Sequence, residues 1–212
     1  MSTADIVFGI FVVLVGIGLL IWYIRQRKAR SRAVEAWAAR EGFVPIDRND
    51  PRVVEALRGS AIAGFYGRVY DPCAKGAGPE TLLFEFAYTV GPTGNRDRVR
   101  QSVVAASAPS LRGRMLVKAR SNGLAGRLGK NTSSPTGRDD FDERFEVQTD
   151  GGAQPPPAAL LDRLLSKPTP PVIEAGNGWV LIYRPGRLLQ PSDLNALVAE
   201  ALDLHEAIVS GG

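Results

Sequence analysis

Residues Ile6 to Ile24 form nineteen consecutive positions without a charged side chain, and Arg25, Arg27, Lys28, Arg30 and Arg32 follow at once. Wound as a helix, a run of that length reaches roughly 28 Å, about the hydrocarbon thickness of a bilayer. Fourteen of its residues are Leu, Ile, Val or Phe, which together favour insertion by roughly 4 to 8 kcal/mol. The run therefore predicts a transmembrane helix over residues 6–24, and whatever follows it is expected to fold at a membrane surface.

The flanks predict orientation. Asp5 is the only charged residue before the run, five basic residues follow it, and basic segments are retained on the cytoplasmic side. The expected layout is a short extracytoplasmic N-terminus (1–5), one span (6–24), a basic juxtamembrane helix (25–42) and a cytoplasmic domain (43–212), held in the inner (plasma) membrane. Trp22 and Tyr23 fall where aromatic rings meet headgroups. Trp22, Tyr23, Arg25, Arg27, Lys28, Arg30 and Arg32 are thus the predicted membrane-interface residues. A cleaved secretion signal is the competing explanation. It requires basic residues before the run, a shorter run and a small-x-small cleavage site, and Trp22-Tyr23-Ile24-Arg25 offers no such site. Gly9, Gly16 and Gly18 lack the four-residue spacing of close-packed helix dimers.

Charge narrows the partners. The chain holds 26 basic and 22 acidic residues, for a net charge of +4. Without the basic flank and Asp5, residues 33–212 hold 21 of each sign, so the excess sits at the membrane end. Each basic residue there is worth about 1 kcal/mol toward an anionic leaflet. Anionic lipid headgroups are the expected partner, with other membrane or cytoplasmic proteins next. Nucleic acid is not expected, since its readers usually carry their excess charge on the folded domain. Within the domain the charge is polarised. Residues 96–130 hold nine basic residues against Asp97 alone, and residues 131–212 hold six basic and twelve acidic. Either the two halves face each other or solvent, or a basic face lies against anionic lipid.

The rest of the chain reads as alternating element types. Ala29 to Glu41 predicts continued helix ending at Gly42, and Asp50-Pro51 predicts the start of a short helix through Leu57. From Ala61 the period becomes two. Ala61 to Tyr70 reads as a strand pair or bulged strand, Pro72 to Pro79 as a loop, and Thr81 to Val90 as a half-buried strand. Val99–Ala106, Met115–Ala119 and the segment around Phe141, Phe145 and Val147 read as further strands. Ser121 to Gly137 reads as a loop. Ala158 to Ser166 predicts a helix, Val172 to Tyr183 a hairpin turning on Asn177-Gly178, and Ser192 the cap of a final amphipathic helix. The fold class is α+β: an N-terminal transmembrane helix, then a mainly antiparallel sheet domain with packing helices.

Chemical signals are weak. His205, the single histidine, projects among Ala201, Leu204 and Ile208 on the last helix, which suits packing better than general-base work. Cys73, the single cysteine, excludes an intrachain disulfide and a multi-cysteine metal site, and it lacks the cationic surroundings of a nucleophile. Gly123 to Thr132 (GLAGRLGKNT) superficially resembles a phosphate-binding loop, but Leu124 stands where the first glycine is required and Asn131 follows Lys130. Asp139, Asp140, Asp142 and Glu143 lack the alternation of a calcium loop. No metal site and no cofactor is expected.

One resemblance can be stated. Trp37-Ala38-Ala39-Arg40-Glu41-Gly42-Phe43, the strand Phe84-Glu85-Phe86, and Phe141-Asp142-Glu143-Arg144-Phe145-Glu146-Val147 before a leucine-rich helix carry part of it. The membrane helix with its basic flank and the closing hairpin and helix from Trp179 carry the rest. Together they resemble an uncharacterised bacterial, actinobacterial-type family of single-span membrane proteins with a cytoplasmic α+β domain. That resemblance implies no activity and no catalytic residues. The expected function is a membrane-anchored interaction or scaffold module. The alternative is a tethered hydrolase or transferase using the acids near 139–143, chiefly Asp139 and Asp142, opposite arginines.

Overall fold

Helix α1 (Thr3–Glu41) runs unbroken for 39 residues through two different environments. The computed structural model describes residues 3–64, 67–90, 97–120, 136–150 and 152–211. In it each large side chain from Phe8 to Ile24 keeps 43–68% of its surface exposed. Further along, the same helix lies on the domain and buries Val34, Trp37 and Ala38. Trp37 Nε1 donates to Asn195 Oδ1 at 2.8 Å, and its ring lies 5.2 Å from that of Phe43. The helix stops at Gly42, whose φ of +78° a side chain would oppose. Phe43 N then donates to Ala38 O, closing the end in the Schellman manner.

Helix α2 (Pro51–Leu57) starts as its sequence predicts, with the Asp50 carboxylate accepting from Arg52 N. The strands are β1 (Val44–Pro45), β2 (Gly67–Lys75), β3 (Thr81–Val90), β4 (Asp97–Ser107), β5 (Arg114–Ala119), β6 (Phe145–Asp150), β7 (Val172–Gly176) and β8 (Trp179–Tyr183). They form one antiparallel sheet in the order β1-β2-β3-β4-β8-β7-β5-β6. The β7–β8 hairpin turns on Asn177 and Gly178, at φ +53° and +77°, the geometry a type I′ turn requires. It inserts between β4 and β5, which are neighbours in sequence.

Both faces of the sheet are covered. On one, Leu83, Val104, Val117, Ile173 and Ile182 pack against α1, α4 (Ala158–Leu165) and α5 (Leu194–Val209). On the other, Leu82, Phe84, Val103, Leu181 and Tyr183 pack with Val53 and Ala56 of α2 and with Ile62 of a 3-10 turn at Ile62–Gly64. Outside α1, the exposed large hydrophobics among the described residues are Val44, Val54 and Val209 alone. The architecture is α+β.

Several expectations are corrected. Cys73 is not in a loop: β2 runs through it, Asp71 takes a positive φ of +48°, and the pairing with β3 shifts register between Tyr70 and Cys73. A bulge of this kind lets Pro72 sit inside a paired strand. Strand β3 is buried on both faces rather than one. Phe141 belongs to a one-turn helix, α3 (Asp139–Asp142), ahead of β6. Ser192 does not cap α5; it lies in a 3-10 turn, and the residue before the helix, Asp193, makes no side-chain cap bond. Phe65, Ser121 to Pro135 and the GLAGRLGKNT segment lie outside the described residues.

Candidate functional site

Alternation along β2 and β4 puts Arg68, Tyr70, Arg98 and Arg100 on the same sheet face as Glu85 of β3. Helix α1 crosses that face as it leaves the domain, and Arg27, Arg30, Ser31 and Val34, spaced i, i+3, i+4 and i+7, lie on one side of the helix. Ser31 Oγ donates to Asp71 Oδ1 at 2.6 Å. Arg30 Nε donates to Glu85 Oε1 at 2.6 Å, and its Nη2 to Leu189 O at 2.6 Å. Arg100 Nη2 holds the other Glu85 oxygen. The carboxylate is only 6% exposed, so two guanidiniums neutralise one buried acid. Arg30, grouped by sequence with the membrane flank, is therefore turned inward.

Next to this clasp, Arg100 of the clasp and two further arginines surround Tyr70. Guanidinium carbons of Arg27, Arg98 and Arg100 lie 4.7, 5.7 and 5.3 Å from the centre of the Tyr70 ring, within cation–π range. Arg98 also donates to the Tyr70 hydroxyl. Arg27, Arg48, Arg68, Tyr70 and Arg98 wall a cleft of about 680 Å3. Among the described residues, none of its four arginines pairs with a carboxylate. Elsewhere in the domain Arg52, Arg114, Arg138, Arg163 and Arg184 do, whereas Arg58, Arg112, Arg120, Arg144 and Arg187 lie apart from the cleft without one among the described residues. The cleft sits where α1 separates from the domain, three residues from the end of the apolar run. Trp22, Tyr23, Arg25 and Lys28 are exposed on the free stretch of helix, and Arg32 is exposed one turn beyond Lys28.

The other residues weighed in the sequence are drawn elsewhere. The Asp142 carboxylate accepts from Thr136 N and Oγ1. Arg138 grips Asp140 and Asp162 together, and that bond holds the Asp140 carboxyl below the usual carboxylate range. Asp139, Asp140, Asp142 and Glu143 wall no described cavity. His205 is buried, and its Nε2 lies 2.9 Å from Ser107 O. Burial pushes the Cys73 thiol up to about 12. Among the described residues no group of His, Cys, Asp or Glu could hold a metal ion.

Sequence reasoning missed Glu174. It is the one charged residue in β7, between Ile173 and Ala175, and that isolation in an apolar strand was the available signal. It lies at the edge of a cavity of about 280 Å3 that Arg114, Gln148 and Asn177 help to wall. Burial raises its pKa, against hydrogen bonds from the Tyr183 hydroxyl and from the backbone N–H groups of Ala61 and Ile62. Those bonds occupy both carboxyl oxygens and fasten the 3-10 turn to the sheet. Glu174 is thus a structural clasp.

Comparison with protein-family models, curated proteins and solved structures finds no match to this chain.

Proposed function

We propose that the protein is a single-span membrane protein of the bacterial inner membrane, anchored by residues 6–24, whose cytoplasmic α+β domain is an interaction or scaffold module at the lipid surface. One observation carries the reading. The only extended apolar surface among the described residues lies on α1 and ends at Ile24, three residues before the helix first meets the domain at Arg27 and six before the domain begins to cover it at Arg30. Left in water, such a strip forfeits about 1.5–3 kcal/mol for each large side chain. Hydrocarbon removes that cost without a protein partner. The basic residues that follow favour a cytoplasmic domain. The same basic flank, Arg25 to Arg32, favours anionic headgroups as partner, and the single-span architecture is that of the actinobacterial-type family the sequence resembles. No second reading is favoured: the Asp142 carboxylate is held by Thr136 and that of Asp140 by Arg138, and none of the acids near 139–143 walls a described cavity.

The test is membrane fractionation of the full chain with a reporter enzyme joined after Gly212. The expected result is retention through alkaline extraction, with the reporter active only on the cytoplasmic side. Release by alkali, or activity only outside, contradicts the reading.

A further inference from the structure

The arginine cleft beside α1 is more organised than a diffuse basic surface. Its four arginines are all exposed to solvent, as on a diffuse surface, but two of them share an anchor. Here Tyr70, itself partly buried on β2, holds the Arg27 guanidinium 4.7 Å from its ring centre and bonds Arg98 through its hydroxyl. Arg68 is on the same strand two residues away, on the same face. Arg48 comes from the loop between β1 and α2. Four separate segments therefore deliver one guanidinium each to one cleft. Each is a planar fork of donors suited to the tetrahedral oxygens of a phosphate. The nearest buried acid, Glu85, is already satisfied by Arg30 and Arg100. Among the described residues these four have no carboxylate partner, and they are the arginines without one that share a single cleft.

Position supplies the ligand's source. Arg27 lies three residues beyond Ile24, about 4.5 Å further along the helix axis. The headgroup layer on each side of a bilayer is roughly 5–8 Å deep. With residues 6–24 in the hydrocarbon, the cleft opens at the depth of the lipid phosphates. We propose that the cleft formed by Arg27, Arg48, Arg68, Tyr70 and Arg98 is a binding site for one phosphate group, the chemistry shared by anionic lipid headgroups and soluble phosphate esters, with the lipid headgroup as its source. This inference rests on the membrane reading above for the source of the ligand, and on the cleft alone for the chemistry.

The experiment uses the full chain in nanodiscs of phosphatidylcholine with a minor fraction of phosphatidylglycerol. Anionic lipid retained per chain is counted by mass spectrometry after extraction into mild detergent. The wild type is expected to keep one anionic lipid. R48A/R68A/R98A should keep about tenfold less or lower, each arginine contributing several-fold toward an anionic surface. R112A/R144A/R163A removes as much charge from residues that do not line the cleft, before β5, before β6 and on α4, and should stay within about twofold of wild type. R48K/R68K/R98K keeps the charge and guards against misfolding of the alanine variant. It should still lose about threefold or more, because lysine lacks the forked geometry. Equal losses in the cleft and control variants, or full retention in the lysine variant, would overturn the site in favour of diffuse attraction.

A second arm titrates inorganic phosphate, glycerol 3-phosphate and a single-stranded oligonucleotide into the detergent-solubilised chain by calorimetry. Weak, cleft-dependent binding of the two phosphates supports the lipid source. Phosphate-ester binding tight enough to displace the lipid leaves the site standing but overturns that source. Preferential displacement by the oligonucleotide overturns the proposal. This arm needs no bilayer, so it reports on the cleft even if fractionation shows that the chain is not membrane-anchored.

Discussion

Glu85 is the residue on which the junction between helix and domain turns. Its carboxylate is buried between Arg30 of α1 and Arg100 of β4, and removing one partner from a buried ionic cluster leaves uncompensated charge behind. Glu85→Gln is therefore expected to cost about 3 kcal/mol, read as a lowered unfolding midpoint of the detergent-solubilised chain. A midpoint unchanged from wild type would show that the clasp contributes nothing. Glu174 makes a prediction of the opposite electrostatic kind. Its folded-state pKa is raised by burial, so the folded chain holds that proton more tightly than the unfolded one. The stability this gives is complete below the ordinary carboxyl range and is lost as pH rises through the raised value. Glu174→Gln preserves an acceptor for Ala61 and a partner for Tyr183 while removing the titration. It should flatten the decline of stability above about pH 5, and an unaltered slope in chemical denaturation would refute the assignment. Neither residue announces this role in sequence: a lone glutamate in a strand reads as solvated until the register shows what covers it.

At the scale of elements, α1 is the unusual piece, because one helix serves as free rod and as core. Trp37 fixes the core end through Asn195 and Phe43. Trp37→Ala should cost about 3–5 kcal/mol and expose the basic stretch from Arg25 to Arg40 to trypsin. Protection equal to wild type would mean that α1 is held by other contacts. Much of this level was legible. The Asp50-Pro51 start, the Gly42 stop, the Asn177-Gly178 turn and the apolar stripe of α5 each rest on local chemistry, and each appears in place. What was not legible depends on distant partners. β2 continues through Pro72 because a bulge at Asp71 re-aims the strand onto β3 and β1. The β7–β8 hairpin enters between β4 and β5 through pairings 56 to 80 residues apart in sequence. The basic flank from Arg25 to Arg32 divides for the same reason: only the register of β3 puts a carboxylate under Arg30.

For the whole molecule, the apolar run supplies one helix long and apolar enough to cross a membrane, while the cleft became visible only when α1, the β1–α2 loop, β2 and β4 converged. The central claim is that residues 6–24 occupy hydrocarbon and that the domain begins at headgroup depth. Cys73 favours a direct measurement, since it is buried and its thiol is pushed up to about 12, so it labels poorly in the folded chain. Single cysteines introduced at Ile10, Leu14, Ile17, Ile21 and Arg25 of the reconstituted full chain can carry spin labels, with Cys73→Ser as background. The account predicts that accessibility to oxygen, relative to a water-soluble nickel complex, peaks near Leu14 and Ile17 and falls away by Arg25. Labels equally accessible to the nickel complex at all five positions would contradict it.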